Sequence, residues 1–437
     1  MSLLVYLILS SQLTLTFQLL IVNRSTIIDS DEDDQDNLFT SFEQFPGIRA
    51  AEHHVDKILE NLNGVHIESK IITNDSVKFS FNPNYYQDDS TLFPVHYQQF
   101  NTNQGSNINN LRRLLSENFS KQRNHEADPM YKDEVRATIL GRLAYYTPES
   151  FVQHFEASVS LGRTVKGANI VGILPGIHRN SKSDSIVLIG AHYDTTKHSP
   201  GVNDNGSGVA ALLEMVRLLS PRSGELNHTI MFVAFDLEEN GILGSLAFVN
   251  QYLIPKELKP KKTSFTGAFI MDMILNFDPA KRSQTLPNDM TRAVPKVGTF
   301  LRGNRYAGDF IALVTRRDLD DGLLEPFKKA WYTMPAQNKY KLLVIDPPIP
   351  QYPHFISAYR FRNFMRSDHA AFWNHRNRDF SVSLPAVLLT DTGPFRGVQR
   401  ACYHEFCDDK NQITNENLDF LKRIVDTLIS TVLNLAN

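Results

Sequence analysis

The chain has 437 residues, 42% of them hydrophobic and 21% charged, and its 45 Lys and Arg nearly balance its 48 Asp and Glu. Such a composition can bury a sizeable core and excludes a wholly disordered chain, while the formal charge of -3 argues against a nucleic-acid partner. Two cysteines exclude a disulfide-dense scaffold and a cysteine-rich zinc finger, whereas 14 histidines keep metal chemistry open.

Residues 1–22 carry no charge, and the first charged side chain is Arg24. The apolar block Leu3-Leu4-Val5-Tyr6-Leu7-Ile8-Leu9 reads as the core of a secretory signal peptide. Left uncleaved, the segment nearly reaches the ~20 residues of a membrane anchor. A buried core segment is the bland alternative. Asn-x-Ser/Thr triplets beginning at Asn23, Asn74, Asn118, Asn205 and Asn227 agree with a secreted or lumenal glycoprotein. Residues 23–45 hold the acidic run 29–36 and read as a solvated linker. Residues 46–160 read as an N-terminal extension. Helical spacing runs from 111 to 142 there, with no visible chemistry.

From about residue 160 apolar strands alternate with helical patterns. Strands are predicted at 168–174, 185–190, 229–235, 267–271 and 385–390, each nearly continuously apolar, as in a sheet buried on both faces. Val209, Leu212, Leu213, Val216 and Leu219 share one helical face ahead of Pro221. Phe248, Val249, Tyr252 and Leu253 precede Pro255, and a 3-4 spacing of apolar residues runs from Leu418 to Leu435. The predicted fold is α/β, a mostly parallel mixed sheet sandwiched between helices. Residues 278–365, rich in Pro and Arg, interrupt the alternation and read as an insertion that walls the site. The body of the protein is thus predicted over residues 46–437.

Three predicted strands run into residues of metal-ligand type: His192 and Asp194 after the second, Glu238 and Glu239 after the third, and Asp272 after the fourth. Ligands gather at the carboxyl ends of strands in open α/β sheets. Asp204 lies in Asn203-Asp204-Asn205-Gly206-Ser207-Gly208, which opens a helix, and His404 follows the last strand. Taken singly, a surface histidine, a solvated Glu pair and a helix cap explain most of these residues. Asp272 is different, because a carboxylate ending an apolar run is expensive to bury without a cation.

Together these motifs, with Leu243-Gly244-Ser245, Ser367-Asp368-His369, Tyr403-His404 and Asp408, resemble the co-catalytic dizinc aminopeptidases. That family includes aminopeptidase Y, bacterial leucyl aminopeptidases and glutaminyl cyclase. The resemblance covers roughly 160–275 and 366–436. It implies two zinc ions bridged by Asp204, one completed by His192 and Asp272 and the other by Glu239 and His404. It implies Glu238 as general base and Asp194 as the residue that orients His192. The implied reaction is removal of an N-terminal amino acid from a peptide through a hydroxide shared by the two ions. The oxyanion donor stays unassigned, since the nearest tyrosine before Ser367 is Tyr359. The implied partners are peptides with a free N-terminus, with no nucleic acid, and a membrane only if residues 1–22 stay attached.

Two other functions compete with the aminopeptidase. A glutaminyl cyclase-like transferase would work with one zinc, and a non-catalytic ectodomain would keep the fold as a binding module. Cys402 and Cys407 flank His404. In a secreted chain they are expected to form a disulfide. A zinc-bound thiolate or two small buried thiols are the alternatives.

Overall fold

The computed structural model describes residues 105–158, 164–335, 339–352, 359–373, 375–377 and 380–437, together with the backbone of four strands nearer the N-terminus. The chain divides into two compact units, Met1–Phe100 and Asn101–Asn437. In the first unit β1 (Ser2–Ser10), β2 (Thr14–Val22), β3 (Ile67–Ile72) and β4 (Ser76–Phe81) form an antiparallel sheet of order β1-β2-β4-β3. The two apolar patches of residues 1–22 are its first two strands. Among the described residues no helix is long and apolar enough to cross a membrane. The acidic run 29–36 lies outside the described residues.

The second unit is built on an eight-stranded sheet. Its strands are β5 (Glu149–Ser158), β6 (Thr164–Leu174), β7 (Ser185–His192), β8 (Thr229–Phe235), β9 (Ser264–Met271), β10 (Phe310–Val314), β11 (Lys341–Ile345) and β14 (Ala386–Thr390). Their order is β11-β10-β14-β9-β7-β8-β6-β5. The short β12 (His375–Asn377) and β13 (Phe380–Val382) pair separately. The four central strands β14, β9, β7 and β8 are mutually parallel, so their carboxyl ends meet at one edge. Here His192 pairs with Phe235, and Leu389 with Met271.

Alternation along β7 divides the core. Val187 and Ile189 face one layer and Ile186 and Leu188 the other, all fully buried. The first layer holds α1 (Pro129–Tyr146), α2 (Gly208–Leu219), α5 (Asp321–Thr333) and α7 (Asn415–Ala436). The second holds α3 (Leu243–Phe248), α4 (Pro295–Gly303) and α6 (His369–Trp373). Asp128 caps α1 by accepting from the Tyr131 N–H at 3.0 Å, and Thr414 caps α7 through Asn417 at 3.2 Å.

All five predicted strands are present. The predicted helical spacing from 111 to 142 is broken, with a turn between Asn118 and Asp128. The helical path after Phe248 runs on through Pro255. Residues 278–365 supply β10 and β11, so the sheet continues through the segment read as an interruption. The apolar run of β10 is short, and Arg and Asp residues flank it on the C-terminal side, which hid it.

Candidate active site

Seven side chains singled out in the sequence converge on the carboxyl edge of the four parallel strands. His192 ends β7 and is 1% exposed. Its Nε2 lies 3.5 Å from Asp204 Oδ1 and 3.6 Å from Asp272 Oδ1, and it has no hydrogen-bond partner. His404 Nε2 lies 3.2 Å from Asp204 Oδ2 and 3.2 Å from Glu239 Oε2. His192, Asp204 and Asp272 therefore form one potential metal-binding group, and Asp204, Glu239 and His404 a second. Asp204 belongs to both, offering one carboxylate oxygen to each side.

The loop carrying Asp204 is held from three directions. Asp408 accepts the backbone N–H groups of Asn203 at 3.0 Å and Asp204 at 2.9 Å. Asn203 donates to Asp391 at 2.8 Å. The Asn205 amide donates to Met271 O at 2.8 Å and accepts from Gly208 N at 3.0 Å. Asn205 is fully buried, so the glycosylation triplet that begins there is unavailable in the folded chain. Gly201 sits at φ +62°, and a Cβ there would meet Asp204 O at 2.1 Å, so only glycine fits.

Asp194 organises the next strand end. Its side chain lies 3.5 Å from His192 Nδ1, and its two oxygens accept Glu238 N at 3.1 Å and Glu239 N at 3.2 Å. The Asp194 backbone carbonyl lies 3.2 Å from the same ring nitrogen, so this residue holds the histidine ring while its carboxylate fixes the turn that presents both glutamates. Behind that turn, fully buried Asp236 accepts from Leu237 N at 2.9 Å and pairs with buried Lys132 at 2.5 Å. Lys132 and Arg136 come from α1, in the extension where the sequence showed no chemistry. Arg123 comes from there too and is fully buried. It donates to the carbonyls of Tyr193 at 2.7 Å, Pro200 at 2.8 Å and Gly201 at 2.7 Å.

The electrostatics are those of crowded acids in need of positive charge. Burial raises Glu238 well above the usual carboxylate range, with Asp272, Asp368 and Glu239 adding to the rise. Burial and Asp204 push Glu239 up to about 7. Burial would lower His192, yet Glu238 and the nearby carboxylates of Asp194, Asp204 and Asp272 raise it well above its ordinary value. Burial opposes the same effect at His404, which the Asp204 and Glu239 carboxylates lift to about 10. Asp204 is held far down by the two imidazoles, although its burial works the other way. Imidazole and carboxylate donors around an orphaned, buried ring nitrogen fit zinc.

A cleft opens above these groups. Its polar end is lined by Asp204, Glu238, Glu239, Asp272 and His404, and its apolar wall includes Met273, Met290, Val314, Ile345, Phe364 and Leu388. Tyr359 is 63% exposed and is not part of the cleft lining. Tyr403 is, stacked on the His404 ring at a centroid distance of 3.7 Å. Burial pushes its phenol above the usual range, so it remains a hydrogen-bond donor. Ser367, Asp368 and His369 are buried beside the cleft, and burial lowers His369 to about 4 while raising Asp368 to about 7. Cys402 and Cys407 are bonded to each other, with Cα atoms 5.1 Å apart, and so bracket His404.

Residues 169–299 match Peptidase family M28. Aminopeptidase YwaD of Bacillus subtilis is 40% identical over 128 residues, which are 29% of this chain and 26% of that protein. An uncharacterised protein of Escherichia coli, YfbL, is 28% identical over 312 residues, covering 68% of this chain and 80% of the relative. A glutaminyl cyclase of Bacteroides thetaiotaomicron shares the fold, with a TM-score of 0.50 at 14% identity over 76% of this chain and 99% of that one. The chain thus spans about a quarter of the length of YwaD. The fold is an α/β domain shared with that cyclase, and residues 169–299 are similar to Peptidase family M28.

Proposed function

We propose that the protein is a zinc-dependent aminopeptidase of the secretory pathway, acting on peptides with a free N-terminus. The observation that carries this reading is the pair of ligand groups sharing Asp204, with the buried His192 Nε2 unpartnered between two carboxylates. His192, Asp204 and Asp272 would hold one zinc ion, and Asp204, Glu239 and His404 the other. Zinc bound there supplies Lewis acidity toward the peptide carbonyl and toward water.

The chain's own residues supply the rest. Glu238 lines the cleft beside the ligands, and its raised proton affinity suits it to take a proton from water and hand it to the leaving amine. Asp194 keeps the His192 ring and the Glu238 backbone in register. The Tyr403 hydroxyl, on the cleft lining, would donate to the carbonyl oxygen as negative charge grows on it. The apolar wall receives the side chain of the N-terminal residue. The Cys402–Cys407 disulfide fits an oxidising compartment, which supports reading residues 1–22 as a signal peptide or anchor.

The test is a zinc count on the purified chain alongside release of the N-terminal residue from aminoacyl amides, with cyclisation of N-terminal glutamine assayed in parallel. Two zinc ions and chelator-sensitive release are expected, and Glu238→Gln should keep the metal but lose nearly all turnover. A zinc-free, folded protein, or a Glu238→Gln variant within a few-fold of wild type, would sink the proposal. Cyclisation without hydrolysis would transfer it to the cyclase reaction.

A further inference from the structure

Beside the carboxylates of Asp204, Glu239 and Asp272, which bound zinc would neutralise, the cleft carries a cation that hydrolysis of a neutral peptide bond does not need. Arg366 is the single Lys or Arg among the described residues that line it. Other arginines near this edge are committed to the fold. Arg316 is buried on Asp320 at 2.7 Å, and Arg396 is buried with its Nε on Gln284 at 2.8 Å and an Nη on Asn276 O at 3.1 Å. The Arg366 side chain is solvent-exposed instead. Its hydrogen-bond acceptor is neutral, the Tyr403 hydroxyl at 3.3 Å, which leaves most of a five-donor fork facing the cleft.

The backbone beneath it is fixed. Arg366 follows the 3₁₀ turn Arg362–Phe364, closed by Phe364 N on Phe361 O at 2.9 Å, and precedes the buried Ser367 and Asp368. Its guanidinium meets the far end of the Tyr403 ring, and that ring lies on His404. The cation therefore stands 5.9 Å from the centre of a ring that is itself stacked on a proposed zinc ligand. One extended residue spans roughly 3.3–3.6 Å. A group at this position is within reach of the residue just after the bond being cut.

We propose that Arg366 reads a carboxylate carried by the residue on the leaving side of the scissile bond. The inference rests on the aminopeptidase reading and narrows its substrates. The guanidinium fork suits a carboxylate by paired N–H donors. The matching substrate is a short peptide with negative charge immediately past the cut. That charge is either the free α-carboxylate of a dipeptide or the side chain of an acidic second residue.

The experiment measures kcat/KM for the zinc-loaded full chain on two matched pairs. The first pair is Leu-Gly against Leu-Gly-amide, and the second is Leu-Asp-amide against Leu-Asn-amide. A leucyl nitroanilide, which has no carboxylate, reports the basic hydrolysis. Wild type should favour the charged member of at least one pair by about tenfold, as a paired charge-assisted contact predicts. Preference confined to the first pair identifies the α-carboxylate, and preference confined to the second identifies the side chain. Arg366→Gln should bring the ratio close to one, Arg366→Lys should keep part of it, and Arg366→Glu should invert it. An arginine that only steadies Tyr403 would change both members of a pair equally and leave the ratio intact. That result, or a wild type with no preference in either pair, overturns the assignment while nitroanilide hydrolysis keeps the aminopeptidase reading standing. Absence of all hydrolysis, nitroanilide included, overturns both.

Discussion

The Asp408 carboxylate accepts the backbone N–H of Asp204 at 2.9 Å, tying the loop after His404 to the residue shared by both ligand groups. Its other oxygen takes Asn203 N and the Gln399 amide, at 3.0 and 2.9 Å. A clamp of this kind aims a ligand without touching the metal. Asp408→Asn would turn an N–H donor toward at least one of these N–H groups. Zinc affinity should fall by about 10–100-fold, the usual effect of losing such a support, with the fold retained. Competition against a chelator, with thermal unfolding alongside, checks this. Unchanged affinity would refute the clamp.

The Cys402–Cys407 bridge spans His404, whose own φ is +62°, an uncommon conformation for a residue with a side chain. So short a loop restricts the unfolded chain little, so at most about 2 kcal/mol of stability is expected from it. The larger effect should fall on the metal. The Cys402→Ser/Cys407→Ser double variant should bind the second zinc more weakly while melting only slightly earlier. Non-reducing mass spectrometry should find the linked peptide in wild type, and two alkylatable thiols in the native protein would remove the bridge.

Arg123 is the prop beneath the Asp204 loop. Arg123→Met would strand buried carbonyls of Tyr193, Pro200 and Gly201, and buried acceptors without donors are costly. A loss on the order of 3 kcal/mol is expected in urea unfolding, together with weaker zinc binding. Stability within about 0.5 kcal/mol of wild type, the range of an ordinary surface change, would show that water or relaxation replaces the guanidinium.

Two glycines with positive φ separate crowding from backbone strain. At Gly201 an added Cβ would strike Asp204 O, whereas at Gly241, φ +102°, it would meet open space. Gly241→Ala should therefore cost only the backbone strain, about 1–3 kcal/mol, and keep the zinc. Gly201→Ala should cost more and displace Asp204, so metal affinity falls with stability. Equal effects on zinc would mean that the crowding at Gly201 is relieved elsewhere.

What the sequence disclosed follows from locality. The central strands are unbroken apolar runs, and the ligands sit at or just beyond their ends, so His192, Glu239 and Asp272 could be read in place. Edge strands behave otherwise. In β5, Glu149–Ser158, exposed and buried residues mix along an antiparallel edge, and no clean period survives. The supports were hidden for another reason. Lys132, in a helical stretch, looks like any solvated lysine until folding brings Asp236 against it. Arg123 spends its donors on backbone carbonyls, which leave no mark in a side-chain pattern. Tyr403 was in view beside His404, yet its place in the cleft depends on the turn that stacks the two rings.

The union of Asp204 with His404 and Asp408 also sets an order of events during biosynthesis. A chain emerging from the ribosome has delivered His192, Asp204, Glu239 and Asp272 long before the loop that carries the last ligand and the clamp. Until that loop arrives, the second group lacks its imidazole and Asp204 lacks its anchor. A growing polypeptide therefore lacks a complete candidate site until the loop carrying His404 and Asp408 has emerged.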